Sequence, residues 1–484
     1  MPVKIHNSLT NEKGEFKDKG KVKMYTCGVT VYDECHIGHA RSLYIFEVIR
    51  RYLKYKGFKV EFIRNITDVD DKIIEKARQW SKKEGIPLKE AFDKVREYYI
   101  NDYEQDLKSL GLPKADKEPR ATENIDDMKK YIQKLTDNGM AYEKEGNVYF
   151  SVRKFPSYGK LSGKKIDDLL TSVRIESDPL KDDPLDFALW KKAKDDEPAW
   201  ASPWGQGRPG WHIECSVMSQ KYLDTDTLDI HGGGRDLIFP HHENEIAQAE
   251  ACTGKPFAEF WIHHGLLTIN SQKMSKSLGN FVTIKDFIKK YKDADLLKLF
   301  FLSTHYAHPI DFNQEKIEEM KKQKKSFYDF FDRVDNRLWL KESTAPSSSQ
   351  DKNMKKVDTL CAKFEQAMDD DFNMPRGLAV LFELIDLGSN FTSSDKEQAF
   401  KYVDEKLSPC LNIFGLRRKQ NKGMPKQLKA LACQRHLARK NKDFKKADDL
   451  RIEIESTFPY VIADSANAIA FIAKQLPQDE HKID

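Results

Sequence analysis

The first 75 residues alternate between short apolar runs and one stretch of helical spacing. Residues 22–27 form an apolar segment that ends at Gly28, residues 40–55 carry apolar side chains at helical spacing, and residues 60–63 form a second apolar segment. This order predicts a strand, a helix and a second strand, which is how a parallel sheet begins. Ligands of such sheets bind beyond the carboxyl ends of the strands, so we expect functional residues just after these segments.

The pattern changes twice further along the chain. Residues 116–201 are richer in Lys, Asp and Pro, which predicts an insertion rather than sheet. The α/β pattern resumes with a strand over residues 228–231, a turn at residues 232–234 and a helix entered at Pro240. Beyond Glu315 helical periodicity dominates. Two breaks in it, at residues 343–350 and 417–426, are candidate linkers.

Composition favours a soluble protein of several domains. The chain has 484 residues, of which 33% are charged and 39% are hydrophobic. No apolar run approaches the roughly 18 residues that cross a bilayer, so we expect no membrane span. The N-terminal residues lack an apolar signal core, which predicts a cytoplasmic protein.

Cysteine usage and local charge raise two chemical questions. The seven cysteines are scattered, which favours thiol or metal chemistry over a disulfide framework. The net charge is only +4, yet residues 416–451 contain thirteen basic and three acidic side chains. Such an excess suits either a phosphate backbone or a solvated helical face, and the pattern alone does not decide between them.

The first constellation lies between the first predicted strand and the helix that follows it. His36, Gly38 and His39 stand there. The N-terminus of a helix offers backbone N–H groups and a positive dipole end to an anion, and Gly38 permits close approach of a ligand. Two imidazoles could then donate to phosphate oxygens as charge develops. The alternative is a chance pair of histidines.

The second constellation has the composition of a metal site. If Pro240 occupies the first helical turn, His241 and Glu245 lie one turn apart on one helix face. With Cys27 and Cys215 they would complete a tetrahedral zinc site of two thiolates, one imidazole and one carboxylate. The alternative is two buried cysteines and a solvated helix face. Spacing alone slightly favours that alternative, because the four residues are far apart in sequence.

The third constellation is a basic loop of small residues at 273–280. Lys273 and Lys276 lie three residues apart on it. Two ammonium groups on a flexible loop can neutralise the β- and γ-phosphates of a nucleotide and then the departing pyrophosphate. The alternative is an ordinary basic surface loop.

In combination these motifs resemble class I aminoacyl-tRNA synthetases, and among them the cysteinyl-tRNA synthetase family. Residues 36–39 are the "HIGH" signature and residues 273–277 the "KMSKS" signature. The segments that resemble the family between and around them are residues 65–72, 183–191, 207–216 and 229–245. Several matches in the same order make coincidence negligible.

The resemblance implies a fold and a division of the chain. The expected fold is α/β: a Rossmann-like parallel-sheet catalytic domain with an insertion, then an α-helical bundle and a small C-terminal α+β anticodon-binding domain. The corresponding residues are 1–115 and 201–268 for the two halves of the catalytic domain, 116–200 for the insertion, 269–342 for the stem-contact region with the KMSKS loop, 343–416 for the bundle and 417–484 for the anticodon-binding domain.

The resemblance also implies residue roles. The metal ligands would be Cys27, Cys215, His241 and Glu245, and the catalytic residues His36, His39, Lys273 and Lys276. ATP would be bound by Gly38, His231, Gly232, Gly233, Gly234, Asp236 and Lys276. The cysteine substrate would be bound by Gly28, Thr30, Thr67 and Trp211, and the anticodon by Arg439, Asp448 and Asp464.

The implied reaction uses ATP, L-cysteine and tRNA(Cys), with one Zn²⁺ per subunit, Mg²⁺ accompanying ATP, and a monomeric enzyme. A zinc ion prefers the substrate sulfur to the hydroxyl of serine, so no editing domain would be needed. Two rival functions remain: a related zinc ligase that joins cysteine to a sugar amine, and a catalytically dead RNA-binding paralogue. The C-terminal 150 or so residues count against the first, and the intact motifs count against the second.

Overall fold

The computed structural model describes residues 2–17, 20–166, 178–275, 278–335, 337–339, 348–391, 397–416, 425–465 and 468–473. The chain divides into two compact units. The first comprises Met1–Asn313 with Asp369–Asn373, and the second comprises Gln314–Met368 with Met374–Asp484.

The first unit mixes helices and strands along the chain. Its helices are α1 (Ile37–Tyr55), α2 (Asp71–Glu84), α3 (Leu88–Leu110), α4 (Ile125–Asp137), α5 (Trp211–Leu223), α6 (Glu243–Thr253), α7 (Ile284–Tyr291) and α8 (Ala294–Leu302). Its strands are β1 (Lys4–Asn7), β2 (Glu12–Glu15), β3 (Lys21–Thr26), β4 (Lys59–Arg64), β5 (Ala141–Lys144), β6 (Asn147–Phe150), β7 (Phe187–Lys192), β8 (Trp200–Ser202), β9 (Gly205–Pro209), β10 (Leu228–Gly234), β11 (Ala258–His264), β12 (Leu267–Ile269), β13 (Gln272–Lys273) and β14 (Ile310–Phe312).

A four-stranded parallel sheet forms the centre of this unit. The strand order is β11-β10-β3-β4, and each neighbouring pair is parallel. The chain runs from β3 through α1 to β4 on one side, whereas β10 and β11 lie on the other side of β3. The order therefore reverses between β3 and β10, which is where open parallel sheets leave a ligand-binding crevice. The predicted parallel sheet is confirmed.

The triple glycine lies within β10, so the predicted turn at these residues is wrong. Gly232, Gly233 and Gly234 are buried at the carboxyl end of that strand. A side chain there has no room, since a β-carbon on Gly232 would lie 2.2 Å from the ring of Phe46 in α1. These glycines therefore serve close packing on the sheet, which a turn-forming composition does not reveal.

The insertion contains a sheet, contrary to the prediction. Strands β5 to β9 form a five-stranded antiparallel sheet in the order β5-β6-β7-β9-β8. Phe150, Leu189 and Trp190 are fully buried on these strands. Because Leu189 and Trp190 are consecutive, they point to opposite faces, so β7 is buried on both sides at this point. The charged and Pro-containing average composition of the segment thus hid short strands with buried apolar residues.

A buried arginine holds the entry of α1 against two later segments. Arg41 donates through Nη1 to the carbonyls of Gly265 (2.7 Å) and Leu266 (2.9 Å), and through Nη2 to those of Tyr306 (3.1 Å) and His308 (2.6 Å). Burial lowers the pKa of Arg41 to about 10, so it remains charged at neutral pH.

The second unit is mainly helical. Its helices are α9 (Gln314–Asp335), α10 (Ser348–Asp369), α11 (Met374–Ser389), α12 (Glu397–Phe414), α13 (Lys426–Lys440) and α14 (Phe444–Thr457), and its strands are β15 (Arg337–Trp339), β16 (Tyr460–Ser465) and β17 (Ala468–Ala473). The three strands form an antiparallel sheet in the order β15-β17-β16. Leu428, Ala432, Ile454 and Ile462 form a small core between α13, α14 and β16.

The predicted fold class, including the helical bundle and the C-terminal α+β part, is confirmed. Most of each candidate linker, namely residues 343–347 and 417–424, lies outside the described residues. Among the helices that the structure describes, none is both long and apolar enough to cross a bilayer.

Candidate active site

Four potential metal ligands meet at the carboxyl edge of the parallel sheet. Cys27 follows β3, Cys215 lies in α5, His241 lies in the turn before α6, and Glu245 lies in the first turn of α6. The Cys27 sulfur is 3.4 Å from Nε2 of His241 and 3.2 Å from Oε1 of Glu245, and the Cys215 sulfur is 3.7 Å from Nε2 of His241. All four ligand atoms lie within 4.8 Å of one another. Two thiols, one imidazole and one carboxylate suit a tetrahedral zinc ion.

The chain places the histidine of this cluster differently from the prediction. Helix α6 begins at Glu243, and His241 belongs to the irregular turn before it, in which Phe239 has extended φ and ψ angles. The Nε2 atom of His241 nevertheless lies 2.8 Å from Oε1 of Glu245. The predicted one-turn proximity of the two side chains therefore holds, although His241 precedes the regular helix.

The groups of the cluster shift one another's pKa values. Burial opposes ionisation of Glu245, but His231 and His241 hold its pKa well below the usual range. Burial would lower the pKa of His241, but Glu245 and Cys215 raise it to about 9. Burial would likewise raise the pKa of Cys215, yet its hydrogen bond with Cys27 and the nearby His241 lower it to about 7. Burial, Cys215 and Glu245 instead raise the pKa of Cys27 well above its ordinary value. The surroundings thus favour the anionic forms of Glu245 and Cys215, whereas Cys27 would have to lose its proton when a cation binds.

Further histidines that are buried or partly buried surround the cluster, and three of them, His212, His242 and His263, were not predicted from the sequence. Nε2 of His231 lies 2.5 Å from Oε2 of Glu245, Nδ1 of His242 lies 2.8 Å from Nε2 of His263, and Nδ1 of His212 lies 2.8 Å from Nδ1 of His241. Partners of this kind orient metal-binding side chains. His231 and His242 also form, with Cys27 and Glu245, a second possible ligand group. The signal in the sequence that could have indicated these histidines is that histidine recurs at the end of an apolar strand.

The two histidines of the HIGH segment cap helix α1. Nδ1 of His36 accepts from the backbone N–H groups of Gly38 (3.0 Å) and His39 (3.3 Å), and Nδ1 of His39 accepts from the N–H of His36 (3.2 Å). Burial lowers the pKa of His36 to about 4 and that of His39 to about 3. Both rings are therefore neutral with the proton on Nε2, which leaves two N–H donors for an anion.

The segment that follows the KMSKS loop is hydrogen-bonded to the start of α1. Lys273 is exposed in β13, and the side chain of Asn280 joins the loop ends by bonding to the Ser275 N–H and the Lys273 carbonyl. Beyond the loop, the N–H of Ile37 donates to the carbonyl of Val282 at 3.1 Å. Lys276 and Ser277 lie outside the described residues.

The carboxyl group of Asp106, in α3, predicts that the stability of the fold depends on pH. Burial, reinforced by Asp102 and Glu34 and opposed by Lys285, raises the pKa of Asp106 to about 7. The folded chain therefore holds this proton more tightly than the unfolded chain, so stability should fall as the pH rises from about 4 to about 7. Asp106→Asn should leave stability unchanged near pH 4 and raise the free energy of unfolding above pH 7 by about 2–4 kcal/mol.

Urea unfolding followed by tryptophan fluorescence at pH 4.5 and pH 8 measures this difference. The exposed Asp195 provides the control, since Asp195→Asn should leave the pH dependence of the wild type in place. Equal pH dependence in Asp106→Asn and the wild type would contradict the prediction.

The residues predicted to bind cysteine lie around the metal cluster. Thr30 and Thr67 face each other in a short parallel bridge, and Trp211 stacks on His241 with ring centroids 4.0 Å apart. Gly28 is closely packed, because a β-carbon there would lie 1.6 Å from the carbonyl oxygen of Asn65. The structure therefore brings all four predicted residues to the same edge of the sheet.

The residues predicted to bind adenosine divide into two environments. His231, Gly232, Gly233 and Gly234 are buried in β10, whereas Asp236 is exposed in the turn that follows the strand. The Asp236 carboxylate lies beside Gly234, 2.3 Å from where a β-carbon would stand. A ligand at this strand end could reach the carboxylate and the glycine backbone together.

The predicted anticodon residues lie in the second unit. Arg439 is exposed in the last turn of α13, and Asp448 is exposed in α14. Asp464 lies in β16 opposite Ile469, and its side chain is outside the described residues.

Comparisons with known proteins agree with this geometry. The family described as tRNA synthetases class I (C) catalytic domain matches residues 14–322, and the DALR domain matches residues 363–417. A methionyl-tRNA synthetase of Mycobacterium tuberculosis in complex with methionyl-adenylate has a similar fold, with a TM-score of 0.59 over 82% of this chain and 90% of that chain at 14% identity. The family match over residues 14–322, together with a parallel sheet that has the HIGH segment after its strand β3, defines a class I aminoacyl-tRNA synthetase.

Curated relatives specify the family further. A cysteine–tRNA ligase of Thermodesulfovibrio yellowstonii is 49% identical over 94% of this chain and 96% of that protein. Another, of Caldicellulosiruptor saccharolyticus, is 46% identical over 96% of this chain and 98% of that protein. The chain belongs to the cysteine–tRNA ligase family, and the resemblance predicted from its motifs is confirmed.

Proposed function

We propose that this protein activates L-cysteine with ATP and transfers the cysteinyl group to the 3′ end of tRNA(Cys). The observation that carries the proposal is the cluster of Cys27, Cys215, His241 and Glu245 beside the two imidazole donors of the HIGH segment. The cluster offers a soft metal site for a thiol, and the helix start offers donors for phosphate oxygens. Together they suit a substrate that carries a thiol and reacts with a nucleotide.

In the first step the cysteine carboxylate attacks the α-phosphorus of ATP, forming cysteinyl adenylate and releasing pyrophosphate. Phosphoryl transfer of this kind depends mainly on positioning and charge stabilisation. The Nε2–H groups of His36 and His39 donate to phosphate oxygens, and Lys273 and Lys276 neutralise the pyrophosphate together with Mg²⁺. Asp236 and the glycines of β10 hold the adenosine.

The metal cluster selects the amino acid. A zinc ion, one per subunit, would bind the substrate sulfur directly and would favour it over the hydroxyl oxygen of serine. Trp211 covers His241 on the side of the predicted pocket, and Gly28, Thr30 and Thr67 complete its wall. An apolar pocket alone would discriminate the two amino acids by only about 1–3 kcal/mol.

In the second step the terminal adenosine hydroxyl of the tRNA attacks the carbonyl carbon of cysteinyl adenylate and takes the acyl group, and AMP leaves. The domain division expected from the sequence serves this step: residues 269–342, with the KMSKS loop, contact the stem of the tRNA, and residues 417–484 bind the anticodon. Arg439, Asp448 and Asp464 read the anticodon by hydrogen bonds to exposed base edges. The protein is a cytoplasmic monomer in this proposal.

Two assays test the proposal and separate its rivals. Cysteine-dependent exchange of pyrophosphate into ATP should occur, and tRNA with a GCA anticodon should be charged. Exchange without charging would favour the ligase that uses a sugar amine. Absence of both activities would favour the catalytically dead paralogue.

A substitution in the C-terminal domain should separate the two steps. Asp448→Ala should leave ATP–pyrophosphate exchange unchanged and reduce kcat/KM for tRNA charging by about 10-fold to 100-fold, since one hydrogen-bonded base contact is lost. Asp449 is also exposed and adjacent in α14, so Asp449→Ala is the matched control and should behave like the wild type. Equal charging by both variants would exclude Asp448 from anticodon recognition.

A further inference from the structure

The chain that leaves the KMSKS loop pairs with the start of the HIGH segment. The N–H of Ile284, the first residue of α7, donates to the carbonyl of Cys35 at 2.9 Å. One residue earlier, Thr283 faces His36 in a short antiparallel bridge. The residues that follow the loop therefore run beside a histidine that is proposed to contact phosphate.

A lysine in the first turn of α7 adds ionic contacts to this backbone pairing. Nζ of Lys285 lies 3.2 Å from Oε1 of Glu34, which stands just before the HIGH segment. The same nitrogen also pairs with Oδ1 of Asp102, a buried residue of α3. One ammonium group thus joins three parts of the chain: the residues that lead into α1, helix α3 and helix α7.

The acidic side chains of α3 explain why a cation is held at this place. Asp102 and Asp106 lie one helical turn apart, and both are buried. Oδ2 of each has no hydrogen-bond partner among the groups that the structure describes. Acidic groups so close together in a buried position disfavour one another's charge, and a nearby cation offsets part of that cost. Without Lys285, α3 would lose this attraction for α7.

We infer that Lys285 is a positioning residue that holds the base of the KMSKS loop against the HIGH segment during adenylate formation. The inference rests on the proposed function, in which the lysines of the loop and the histidines of the HIGH segment act on the same phosphates. The two motifs are distant in the chain, so their relative position depends on contacts such as those of Lys285. A displacement of about 1 Å at charged groups already costs up to about 100-fold in rate.

The contacts of Lys285 separate the effect on the chemical step from the effect on cysteine binding. Its described ionic partners are Glu34 and Asp102, and neither belongs to the proposed metal ligands or to the predicted cysteine pocket. Loosening this attachment should therefore lower kcat and leave the affinity for cysteine unchanged. A general loss of the fold would instead weaken both.

Kinetics and calorimetry of Lys285 variants test this expectation. Lys285→Met should lower kcat of ATP–pyrophosphate exchange by about 10-fold to 100-fold, whereas the Kd of L-cysteine from isothermal titration calorimetry should equal that of the wild type. Lys285→Arg keeps the charge and should recover most of the rate. Lys289 is exposed one turn further along α7, so Lys289→Met is the matched control and should behave like the wild type.

A double substitution tests whether Lys285 acts through its buried partner. Asp102→Asn should lower kcat in the same way as Lys285→Met, again without a change in the Kd of cysteine. The double variant should be no slower than Lys285→Met alone, because both substitutions remove the same contact. Losses that multiply in the double variant overturn the inference. If Lys285→Met does not fold, Asp102→Asn decides the question by the same two measurements.

Amide hydrogen exchange measures the attachment without reference to activity. In Lys285→Met the N–H groups of Ile37 and Ile284 should exchange faster than in the wild type, whereas those of β10 should exchange at the wild-type rate. Unchanged exchange at Ile37 and Ile284 overturns the inference. So does an unchanged kcat in Lys285→Met, or a loss of rate that is accompanied by an equal loss of affinity for cysteine.

Failure of the inference and failure of the proposed function give different results. A wild-type protein without cysteine-dependent ATP–pyrophosphate exchange refutes the proposed function. A wild-type protein that exchanges, combined with a folded Lys285→Met variant that exchanges at the same rate, refutes the inference alone.

Discussion

Cys215→Ser is expected to reduce metal content to background and to lower kcat/KM for cysteine activation by more than about 100-fold. Losing a residue that only supports a ligand already costs about 10–100-fold in metal affinity or activity, and Cys215 is predicted to bind the metal itself. A hydroxyl is a poor substitute, because zinc prefers a deprotonated sulfur. The low pKa of Cys215, about 7, shows that the surrounding groups already favour its thiolate.

Elemental analysis of the purified variant and ATP–pyrophosphate exchange measure these two effects. Cys252 is also buried, lies in α6, and belongs to neither ligand group, so Cys252→Ser is the matched control. It should retain both metal and activity. Normal metal content in Cys215→Ser would refute the proposed ligand set.

Arg41→Met is expected to lower the free energy of unfolding by about 3–5 kcal/mol. The substitution keeps the length and apolar stem of the side chain but removes the charged group that binds four backbone carbonyls. Removing one partner from a buried charged arrangement is costly because the other groups stay buried without it. Arg41→Lys should recover only part of the loss, since an ammonium group cannot reproduce the planar fork of the guanidinium.

Tryptophan fluorescence during urea unfolding suits this measurement, because six of the seven tryptophans lie in the first unit. Arg51 lies on the same helix, is partly exposed and pairs with Glu47, so Arg51→Met is the matched control. It should cost at most about 1 kcal/mol. A similar loss in both variants would show that the buried carbonyl contacts of Arg41 are unimportant for stability.

The metal ligands show how much of the candidate site could be predicted from the sequence. Spacing placed His241 and Glu245 one turn apart, but it slightly disfavoured a site with Cys27 and Cys215, since they are distant in the chain. The family resemblance then favoured the complete set over that alternative. The structure brings all four together because β3, α5 and the start of α6 converge at one edge of the sheet.

Other residues show where local patterns were insufficient. The triple glycine had the composition of a turn, yet it ends strand β10, where Phe46 leaves no space for a side chain at Gly232. The strands of the insertion are short and lie among charged and Pro-containing stretches, so the average composition hid them. Glu34 and Asp102 lie far from Lys285 in the chain, and nothing local indicated that these side chains meet.

The sequence by itself determined the order of strands and helices at the start of the chain, the signature motifs and hence the family. These features depend on contacts between near neighbours, which periodicity and spacing record. The tertiary structure decided which distant residues meet: the four ligands, the carbonyls around Arg41, and the ion pairs of Lys285 with Glu34 and Asp102. Such contacts depend on strand order and on the packing of buried side chains, and neither can be predicted from a local stretch of sequence.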